Sequence, residues 1–286
     1  MNKYHSETGQ QSDSLTSKEF EALSSFIYSE VGIKMPAGKK IMLEARLRKR
    51  VKELGISSYT EYCKLVLSRE SSSSEIFHFI DVVTTNKTDF FREPKQFQFL
   101  VENALPELRR LYQVGTENGI RIWSAGCSSG EEAYTLAMVL KDYLRDLSQI
   151  RILATDVSTQ VLEKALLAIY EEEKVEPVPM EFKKKYLLKS KEKEKKLVRI
   201  VPELRRLVEF RRVNFMHDNY EIKELFHAVF CRNVIIYFDR PTQEAIVQKI
   251  CRSLAKGGYL FIGHSESLFN MDLPLVQVAP SIYRKV

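Results

Sequence analysis

The sequence predicts an α/β protein in which an all-helical N-terminal domain precedes a sheet of mainly parallel strands. Apolar residues recur at helical spacing through roughly the first ninety residues. From residue 120 onwards, short apolar runs alternate with helical patterns. Such alternation is typical of βαβ units, whose strands are parallel and carry helices on both faces.

The composition is that of a globular protein. The 286 residues are 44% hydrophobic and 29% charged. The four cysteines lie far apart and form no CxxC pair, so we expect reduced thiols, no disulfide and no metal site. Residues 1–14 are polar and lack the apolar core of a signal peptide, and we expect a disordered tail there. No later run approaches the roughly 18 apolar residues of a membrane span, which predicts a soluble, cytoplasmic protein.

Four helices are predicted in the N-terminal domain, residues 15–83. Thr16-x-x-Glu19 has the form of a capping box and precedes apolar residues at helical spacing. A second helix is predicted over Lys39–Leu54, where apolar residues fall on one stripe. Two shorter helices are predicted to begin after Ser58 and at the serine run 71–74.

Positive charge is concentrated in two places. In the second predicted helix Arg48, Lys49 and Lys52 face away from the apolar stripe, which is typical either of a solvated face or of a surface that docks an acidic partner. Residues 183–206 contain eleven Lys and Arg against three Glu, a local balance of +8 within a net charge of +6. Such a segment can remain solvated, bind an acidic protein surface or bind nucleic acid.

The C-terminal domain, residues 120–286, is reached through a linker and entry helices at 84–119, where Pro94 is a typical first helical residue. An insertion at about 171–207 breaks the alternation and predicts a helix near Met180–Tyr186 followed by a hairpin. Strands are predicted at 120–125, 150–156, 208–215, 227–238 and 257–265, with two more in LVQV and SIYRKV at the C-terminus, and helices at 131–144, 161–170 and 242–254.

A glycine-containing loop, GCSSG, joins the first predicted strand to its helix. Gly126 and Gly130 permit a tight turn and a close approach of the backbone to a ligand, as in nucleotide-binding α/β folds. The pattern departs from GxGxxG, and a purely structural turn explains two glycines equally well. Glu131 and Glu132 occupy the first helical turn, where they would repel a phosphate. They would also stabilise the helix dipole without any further function.

A third carboxylate, Asp156, ends the next predicted strand, thirty residues beyond Gly126. An acidic side chain at this point can accept hydrogen bonds from both hydroxyls of a ribose. Three carboxylates around a nucleoside-sized crevice suit an adenosine that carries positive charge rather than phosphates. The residues therefore favour S-adenosylmethionine, with its sulfonium and ammonium groups.

Polar residues also interrupt the predicted strand 227–238. Arg232 and Asn233 would be costly in a central parallel strand unless they are hydrogen-bonded. Because ligands collect beyond the carboxyl ends of such strands, Asn233 is a predicted site residue, with a structural polar contact as the alternative.

Five segments stand in order along the sequence: TTNKTDFFRE, WSAGCSSGEEAY, ATDVS, FCRNVIIYF and GHSESL. Together they resemble the chemotaxis receptor glutamate O-methyltransferases, the CheR proteins, over residues 15–286. Ser129 and Ala133 stand where that family often has Thr and Pro. The resemblance implies a helical N-terminal domain and a Rossmann-like class I methyltransferase sheet with a small inserted antiparallel β-subdomain.

The resemblance also implies how the chain contacts S-adenosylmethionine, which would leave as S-adenosylhomocysteine. The segment 84–92 would form a lid, with its phenylalanines anchored in the core and its polar groups closing over the cofactor. The implied cofactor contacts are Asn86, Thr88, Arg92, Glu132, Asp156, Asn214, Phe215, Asn233 and Val234.

The implied reaction is methyl transfer to a glutamate side chain of a receptor. An exposed glutamate is ionised at neutral pH, so no general base is required. Arg92 is the first candidate for orienting a carboxylate, because its planar fork suits bidentate contact. Tyr237 is a weaker candidate for lining the methyl-transfer channel, with a place in the core as the alternative.

By resemblance, the partner is the acidic cytoplasmic coiled coil of a chemotaxis receptor, and a membrane is reached only through that receptor. Family members that tether to a receptor pentapeptide have a glycine-containing loop in the β-subdomain, whereas residues 189–198 contain no glycine, so we expect no tethering. Two alternatives stay open: a methyltransferase acting on a small molecule or on nucleic acid, which we do not expect as a partner, and a non-catalytic S-adenosylmethionine sensor. The implied docking residues are Arg46, Arg48, Lys49, Arg50 and Lys52.

Overall fold

A computed structural model describes residues 14–68, 73–114, 118–144 and 146–286. Contacts divide the chain into two compact units, one ending at Thr84 and the other beginning at Thr85. The predicted tail, except for residue 14, and part of the serine run 71–74 lie outside the described residues.

The first unit is helical, as predicted. Its capping box is complete: the Thr16 hydroxyl accepts the amide of Glu19 at 3.2 Å, and the Glu19 carboxylate accepts the amide of Thr16 at 2.8 Å. These two bonds satisfy amides that the start of a helix otherwise leaves without a partner. The helices are α1 (Ser17–Val31), α2 (Lys40–Glu53), α3 (Tyr59–Leu67) and α4 (Ser73–Val83).

The second unit begins with α5 (Pro94–Phe99), a π-helical turn (Leu100–Ala104) and α6 (Leu105–Tyr112), so the predicted helix start at Pro94 is confirmed. No helix among the described residues is both long enough and apolar enough to cross a membrane. The strands are β1 (Ile120–Ala125), β2 (Ile150–Asp156), β3 (Ile169–Glu171), β4 (Leu187–Lys189), β5 (Leu197–Ile200), β6 (Val208–Arg212), β7 (Phe226–Cys231), β8 (Leu254–Ile262), β9 (Leu275–Ala279) and β10 (Ile282–Lys285). The remaining helices are α7 (Glu131–Leu144), α8 (Thr159–Leu167), α9 (Met180–Tyr186), α10 (Pro202–Arg205) and α11 (Arg240–Ser253).

Seven strands form one sheet in the order β6–β2–β1–β7–β8–β10–β9. The first five are parallel, and β10 and β9 complete one edge in antiparallel pairing. From β1 the chain proceeds outward through β2 and β6 and then returns to the other side of β1 with β7 and β8. The strand order therefore reverses between β1 and β7, which is where an open α/β sheet forms its ligand crevice.

The predicted insertion forms a separate antiparallel sheet in the order β3–β5–β4. Its helix matches the predicted Met180–Tyr186, and the predicted hairpin is formed by β4 and β5. The helix predicted over 161–170 was too long, because Ala168 takes a left-handed φ of 53° and ends α8. The residues that follow it form β3 and pair with β5.

Three strand predictions were wrong at their ends. The predicted 227–238 strand stops at Cys231, because Asn233 takes a left-handed φ of 58° and a 3₁₀ turn follows at Ile235–Tyr237. Arg232 and Asn233 are therefore loop residues beyond the strand rather than polar residues within it. Similarly, β6 ends at Arg212 rather than at 215, and β8 spans Leu254–Ile262 rather than 257–265.

Apolar clusters cover both faces of the large sheet. Ile122 of β1 and Phe230 of β7 belong to one cluster, whereas their neighbours Trp123 and Val229 belong to the other. Successive side chains of a strand point to opposite faces, so these strands are buried on both sides. The central strands are therefore held rigidly, and the loops at their carboxyl ends start from fixed positions.

Candidate active site

The loop after β1 packs directly against the loop after β7. Gly126 has a φ of 85°, and its amide donates to the carbonyl of Thr155 at 2.7 Å. A Cβ on Gly126 would lie 2.4 Å from Cγ2 of Val234. Both the backbone angle and the lack of space require glycine here. At Gly126 the close neighbour of the backbone is Val234 of the loop after β7, and the predicted close approach to a ligand stays a prediction.

Asp156 ends β2 as predicted, and its carboxylate organises the neighbouring turns. Its Oδ2 accepts the amide of Ser128 at 2.9 Å, and its Oδ1 accepts the amide of Ser158 at 3.0 Å. These two bonds fix the orientation of the side chain at the carboxyl end of β2.

Glu132 forms a buried ion pair that the sequence did not predict. Its Oε1 accepts the hydroxyl of Ser124 at 2.6 Å, and its Oε2 lies 3.0 Å from Nε of Arg232. The two charged side chains are 11% and 3% exposed. Burial raises the pKa of Glu132, although the positive charge of Arg232 and the Ser124 hydroxyl oppose the rise. The charge of this carboxylate is therefore largely compensated within the protein.

Glu131 is also held by its own neighbours. Both of its carboxylate oxygens accept the hydroxyl of Ser129, at 3.0 and 2.8 Å, and burial raises the pKa of the side chain. The repulsion of phosphate expected from Glu131 and Glu132 is consequently weaker than their charges alone indicated.

The segment 85–93 contacts this crevice through main-chain and aromatic groups. The carbonyl of Asn86 accepts the hydroxyl of Ser128 at 2.8 Å. Phe90 is completely buried and meets Tyr170 edge-on, with ring centroids 5.0 Å apart. Phe91 is half-buried, so one of the two adjacent phenylalanines lies in the core and the other at its margin.

Arg92 lies in the same segment and connects to Arg232. Its carbonyl accepts Nη2 of Arg232 at 2.7 Å, while its own Nη1 donates to the carbonyl of Lys87 at 3.2 Å. The positive charge of Arg92 is also among the influences that lower the pKa of Glu132, which puts the guanidinium within electrostatic reach of that carboxylate. Thr88 is half-buried in the same segment.

Asn214 and Phe215 follow β6 at the same edge of the sheet. Asn214 is buried, and its Oδ1 accepts the amide of Met216 at 3.0 Å. The ring of Phe215 packs against Trp123, with centroids 6.4 Å apart, and belongs to one of the two apolar clusters.

Asn233, Val234 and Tyr237 all lie in the loop after β7. Val234 touches the Gly126 position, and Tyr237 is partly exposed at the end of the 3₁₀ turn. The structure therefore gathers the loops after β1, β2 and β7, together with the 85–93 segment, at the switch point. The predicted cofactor contacts that follow β6, Asn214 and Phe215, lie one strand further from the switch point than Asp156.

Two buried cysteines in these loops are unsuited to nucleophilic chemistry. Cys127 and Cys231 are 1% exposed, and burial raises the pKa of each thiol well above its ordinary value. A thiol that stays protonated at neutral pH is a weak nucleophile.

Two buried charged residues at this edge were not among the predicted site residues. Arg232 donates to Oε1 of Gln96 at 3.2 Å as well as to Arg92, and the carboxylate of Glu266 accepts several amides of the loop after β7. The available signal was a charged residue closely following an apolar strand. Arg232 directly follows the apolar end of β7, and Glu266 follows the apolar end of β8 within the GHSESL segment.

The docking residues predicted on α2 fall into two groups. Nη1 of Arg46 donates to the carbonyls of Val83 and Thr84, at 2.5 and 3.0 Å. Arg50 pairs with the buried carboxylate of Glu75, with Nη2 and Oε2 2.5 Å apart. These two arginines are engaged within the helical unit. The exposed members of the predicted set are Arg48, Lys49 and Lys52.

Comparisons with known proteins agree over both units. A family model described as "CheR methyltransferase, SAM binding domain" matches residues 86–282, and one described as "CheR methyltransferase, all-alpha domain" matches residues 18–84. The chain is 37% identical over 274 residues to a chemotaxis protein methyltransferase of Borreliella burgdorferi, covering 95% of each chain. It is 34% identical to chemotaxis protein methyltransferase 2 of Pseudomonas aeruginosa, covering 96% of this chain and 95% of the relative.

These matches extend along nearly the whole sequence and include all of the loops that meet at the crevice. The family resemblance predicted from the five segments is therefore confirmed, and so are the S-adenosylmethionine-binding fold and the methyltransferase class that it implied. The chain belongs to the CheR methyltransferase family.

Proposed function

We propose that this protein transfers a methyl group from S-adenosylmethionine to the side-chain carboxylate of a glutamate in a chemotaxis receptor. The observation that carries the proposal is the Asp156 carboxylate at the carboxyl end of β2, beside the switch point, oriented by the amides of Ser128 and Ser158. The relatives' names supply the chemotaxis context, and the crevice supplies a chemical reason for the cofactor.

The residues at the crevice fit an adenosine that carries positive charge. Asp156 would accept the ribose hydroxyls. Arg232 compensates much of the negative charge of Glu132. The Glu132 side chain is nevertheless 11% exposed, so its carboxylate can still attract an ammonium group. We assign the remaining cofactor contacts to the segment before α5 and to the loops after β6 and β7, namely Asn86, Thr88, Arg92, Asn214, Phe215, Asn233 and Val234.

The chemistry requires positioning more than acid or base catalysis. The bound cofactor supplies an electrophilic methyl group on a sulfonium. A receptor glutamate with a pKa near 4.3 is ionised at neutral pH and already nucleophilic, so this chain need not remove a proton. Arg92 would orient a carboxylate through its guanidinium, and Tyr237 would line the path of the methyl group. Exclusion of water by the segment 85–93 would strengthen these contacts.

The receptor surface would be recognised by the exposed cations of α2. Arg48 and Lys49 are 71% and 85% exposed, and the ion pairs of these cations with Glu44 and Glu53 have N–O distances of 3.6 and 3.7 Å. Exposed pairs of this kind contribute little, so their cations can exchange partners at low cost. We propose that Arg48, Lys49 and Lys52 contact an acidic coiled coil, with Arg46 and Arg50 supporting α2 from within. Such a substrate would place the enzyme in the cytoplasm.

The basic segment 183–206 has partners of its own. Lys185 lies 2.6 Å from Asp142, Lys189 lies 3.1 Å from Glu172, and Lys195 lies 2.9 Å from Glu192. These pairs reduce the positive field of the segment, which favours a solvated face over a nucleic-acid surface. The β4–β5 connection contains no glycine, and we propose that receptor binding does not depend on a pentapeptide tether.

The test of the reaction is chemical. The protein is incubated with methyl-labelled S-adenosylmethionine and a receptor cytoplasmic fragment, and the product is treated with alkali. Carboxyl methyl esters hydrolyse and release volatile labelled methanol, whereas methylated nitrogen or nucleic acid keeps its label. Alkali-stable label on the receptor, or no label at all, would contradict the proposed reaction.

The test of the site uses matched variants. Asp156→Ala should abolish detectable S-adenosylmethionine binding in calorimetry. Arg92→Ala should lower kcat by about 10²-fold, because it removes an orienting group. Asp142→Ala, which removes a half-exposed carboxylate paired with Lys185, is the control and should change neither quantity. Near-normal behaviour of the first two variants would remove the site assignment.

A further inference from the structure

The turn that follows β8 brings a buried carboxylate to the loop that follows β7. Glu266 is 7% exposed. Its Oε1 accepts the amides of Val234 and Ile236 at 2.9 and 3.3 Å. Its Oε2 accepts the amides of Asn233 and Gly263 at 2.9 and 2.6 Å. One side chain thus satisfies four backbone donors, three of which belong to the loop after β7.

This carboxylate determines the shape of the loop. The loop leaves β7 through a left-handed residue, Asn233, and continues into a 3₁₀ turn, so its amides cannot pair in the strand ladder. Buried amides without an acceptor are costly, and an ionised acceptor forms stronger hydrogen bonds than a neutral one. The conformation that presents residues 233–237 at the crevice therefore depends on a charged group from the turn after β8.

The same turn also touches the segment before α5. The amide of His264 donates to Oε1 of Glu93 at 3.2 Å. On its other side, a Cβ on Gly263 would lie 2.4 Å from Nδ2 and 2.9 Å from the backbone nitrogen of Asn233. The turn at 263–266 therefore contacts two of the chain segments that hold proposed cofactor contacts.

We propose that Glu266 is a positioning residue for the cofactor: its carboxylate fixes the main chain of residues 233–236 and thereby holds Asn233, Val234 and Tyr237 in the arrangement that binds S-adenosylmethionine. This inference rests on the proposed function. Glu266 acts through the loop, because its side chain is buried and each of its oxygens already accepts two amides. No residue of the turn was among the predicted site residues.

Glu266→Gln is the sharpest single change. The amide side chain has the same shape, but only one of its two terminal atoms can accept a hydrogen bond. In either orientation, two of the four backbone amides would face an NH₂ group instead of an oxygen. The variant therefore disturbs the loop without creating a cavity.

Gly263→Ala tests the same loop from the opposite side. It keeps the Glu266 carboxylate but drives a methyl group against the backbone of Asn233. The matched control is Glu107→Gln, which removes a carboxylate that pairs with Arg284 at 2.7 Å and accepts the hydroxyl of Tyr259. That control weakens a partly buried carboxylate contact outside the crevice.

The measurements separate positioning from stability. For Glu266→Gln and Gly263→Ala we expect the Kd of S-adenosylhomocysteine to rise at least about tenfold and kcat to fall about 10²-fold, at temperatures where circular dichroism shows both variants folded. The KM for the receptor fragment should stay within about twofold, because the receptor docks elsewhere. Glu107→Gln should lower Tm without changing Kd or kcat.

Two results would overturn the inference. One is a lower Tm in both loop variants with Kd and kcat within about twofold of the unmodified protein, which describes a merely structural role. The other is a normal Kd in Gly263→Ala if Glu266→Gln fails to fold. Failure of the proposed function would give a different result from failure of the role of Glu266. In that case the unmodified protein itself would not bind S-adenosylmethionine or would not methylate a receptor.

Discussion

Replacing Arg232 by methionine should destabilise the protein by about 3 kcal/mol at pH 7.5, because it leaves a buried carboxylate unpaired. Arg232 lies 3.0 Å from Oε2 of Glu132 and donates to the carbonyl of Arg92 and to Oε1 of Gln96 at 2.7 and 3.2 Å. Breaking a buried pair by removing one partner typically costs about 3–5 kcal/mol. The lower end applies here, because Ser124 still donates to Glu132 at 2.6 Å.

The loss should depend on pH in a defined direction. Burial raises the pKa of Glu132, and removal of the nearby positive charge raises it further. An acid with a higher pKa in the folded than in the unfolded protein binds more protons when folded, so a lower pH favours the folded state. The difference in unfolding free energy between the parent and Arg232→Met should therefore be larger at pH 7.5 than at pH 5.5.

Urea unfolding followed by the fluorescence of Trp123, the single tryptophan and fully buried, measures these free energies. The double variant Glu132→Gln/Arg232→Met removes both charges and should recover at least about 1.5 kcal/mol of the loss. The reasoning fails if the single arginine variant loses less than about 1 kcal/mol, or if the two substitutions are additive.

Three further perturbations follow from single contacts. Burial lowers the pKa of His227 to about 4, and its Nδ1 accepts the amide of Arg121 at 3.0 Å, so the parent should lose up to about 3 kcal/mol as the pH falls from about 6.5 to 4. His227→Gln should lack that part of the pH dependence in urea unfolding. Gly126→Ala should weaken cofactor binding at least about tenfold, because the added methyl group displaces the loop after β7. The control Gly38→Ala, whose Cβ meets nothing within 4 Å, should bind normally in the same calorimetry. Thr16→Ala should cost about 1 kcal/mol in urea unfolding of the helical unit, and Thr16→Ser should restore most of it.

The elements that local patterns determine were predictable from the sequence. The strand ending at Asp156 and the helix beginning at Glu131 have the predicted bounds, because an apolar run and the turn residues beside it fix both ends. The capping box at Thr16 is a signal contained within four residues. In each case the atoms that form the structure lie close together in the sequence.

The contacts that join distant strands were not predictable in this way. Arg232 and Gln96 are separated by 136 positions and Glu266 and Asn233 by 33. Glu266 and Asn233 meet because they follow the neighbouring parallel strands β8 and β7, a pairing that no local pattern reveals. The apolar run FCRNVIIYF has the local pattern of one continuous strand, and it was predicted as one. The left-handed conformation of Asn233 that ends the strand is stabilised by the carboxylate of Glu266, which lies elsewhere in the sequence. The sequence predicted Asn233 as a site residue, but it did not predict that the strand ends before Asn233, because that end depends on the distant partner.

The selectivity of the crevice for a cationic nucleoside rests on occupied backbone donors as much as on acidic charge. A phosphate-binding loop needs free amides. Here the amides of residues 126, 127, 128 and 130 already donate to the carbonyl of Thr155, the carboxylate of Asp156 and the carbonyl of Cys127. The amides of residues 233, 234 and 236 all donate to the carboxylate of Glu266. This internal carboxylate occupies the position in which a bound anion would accept those amides. Since Arg232 compensates much of the charge of Glu132, internal hydrogen bonding explains the exclusion of phosphates better than repulsion does.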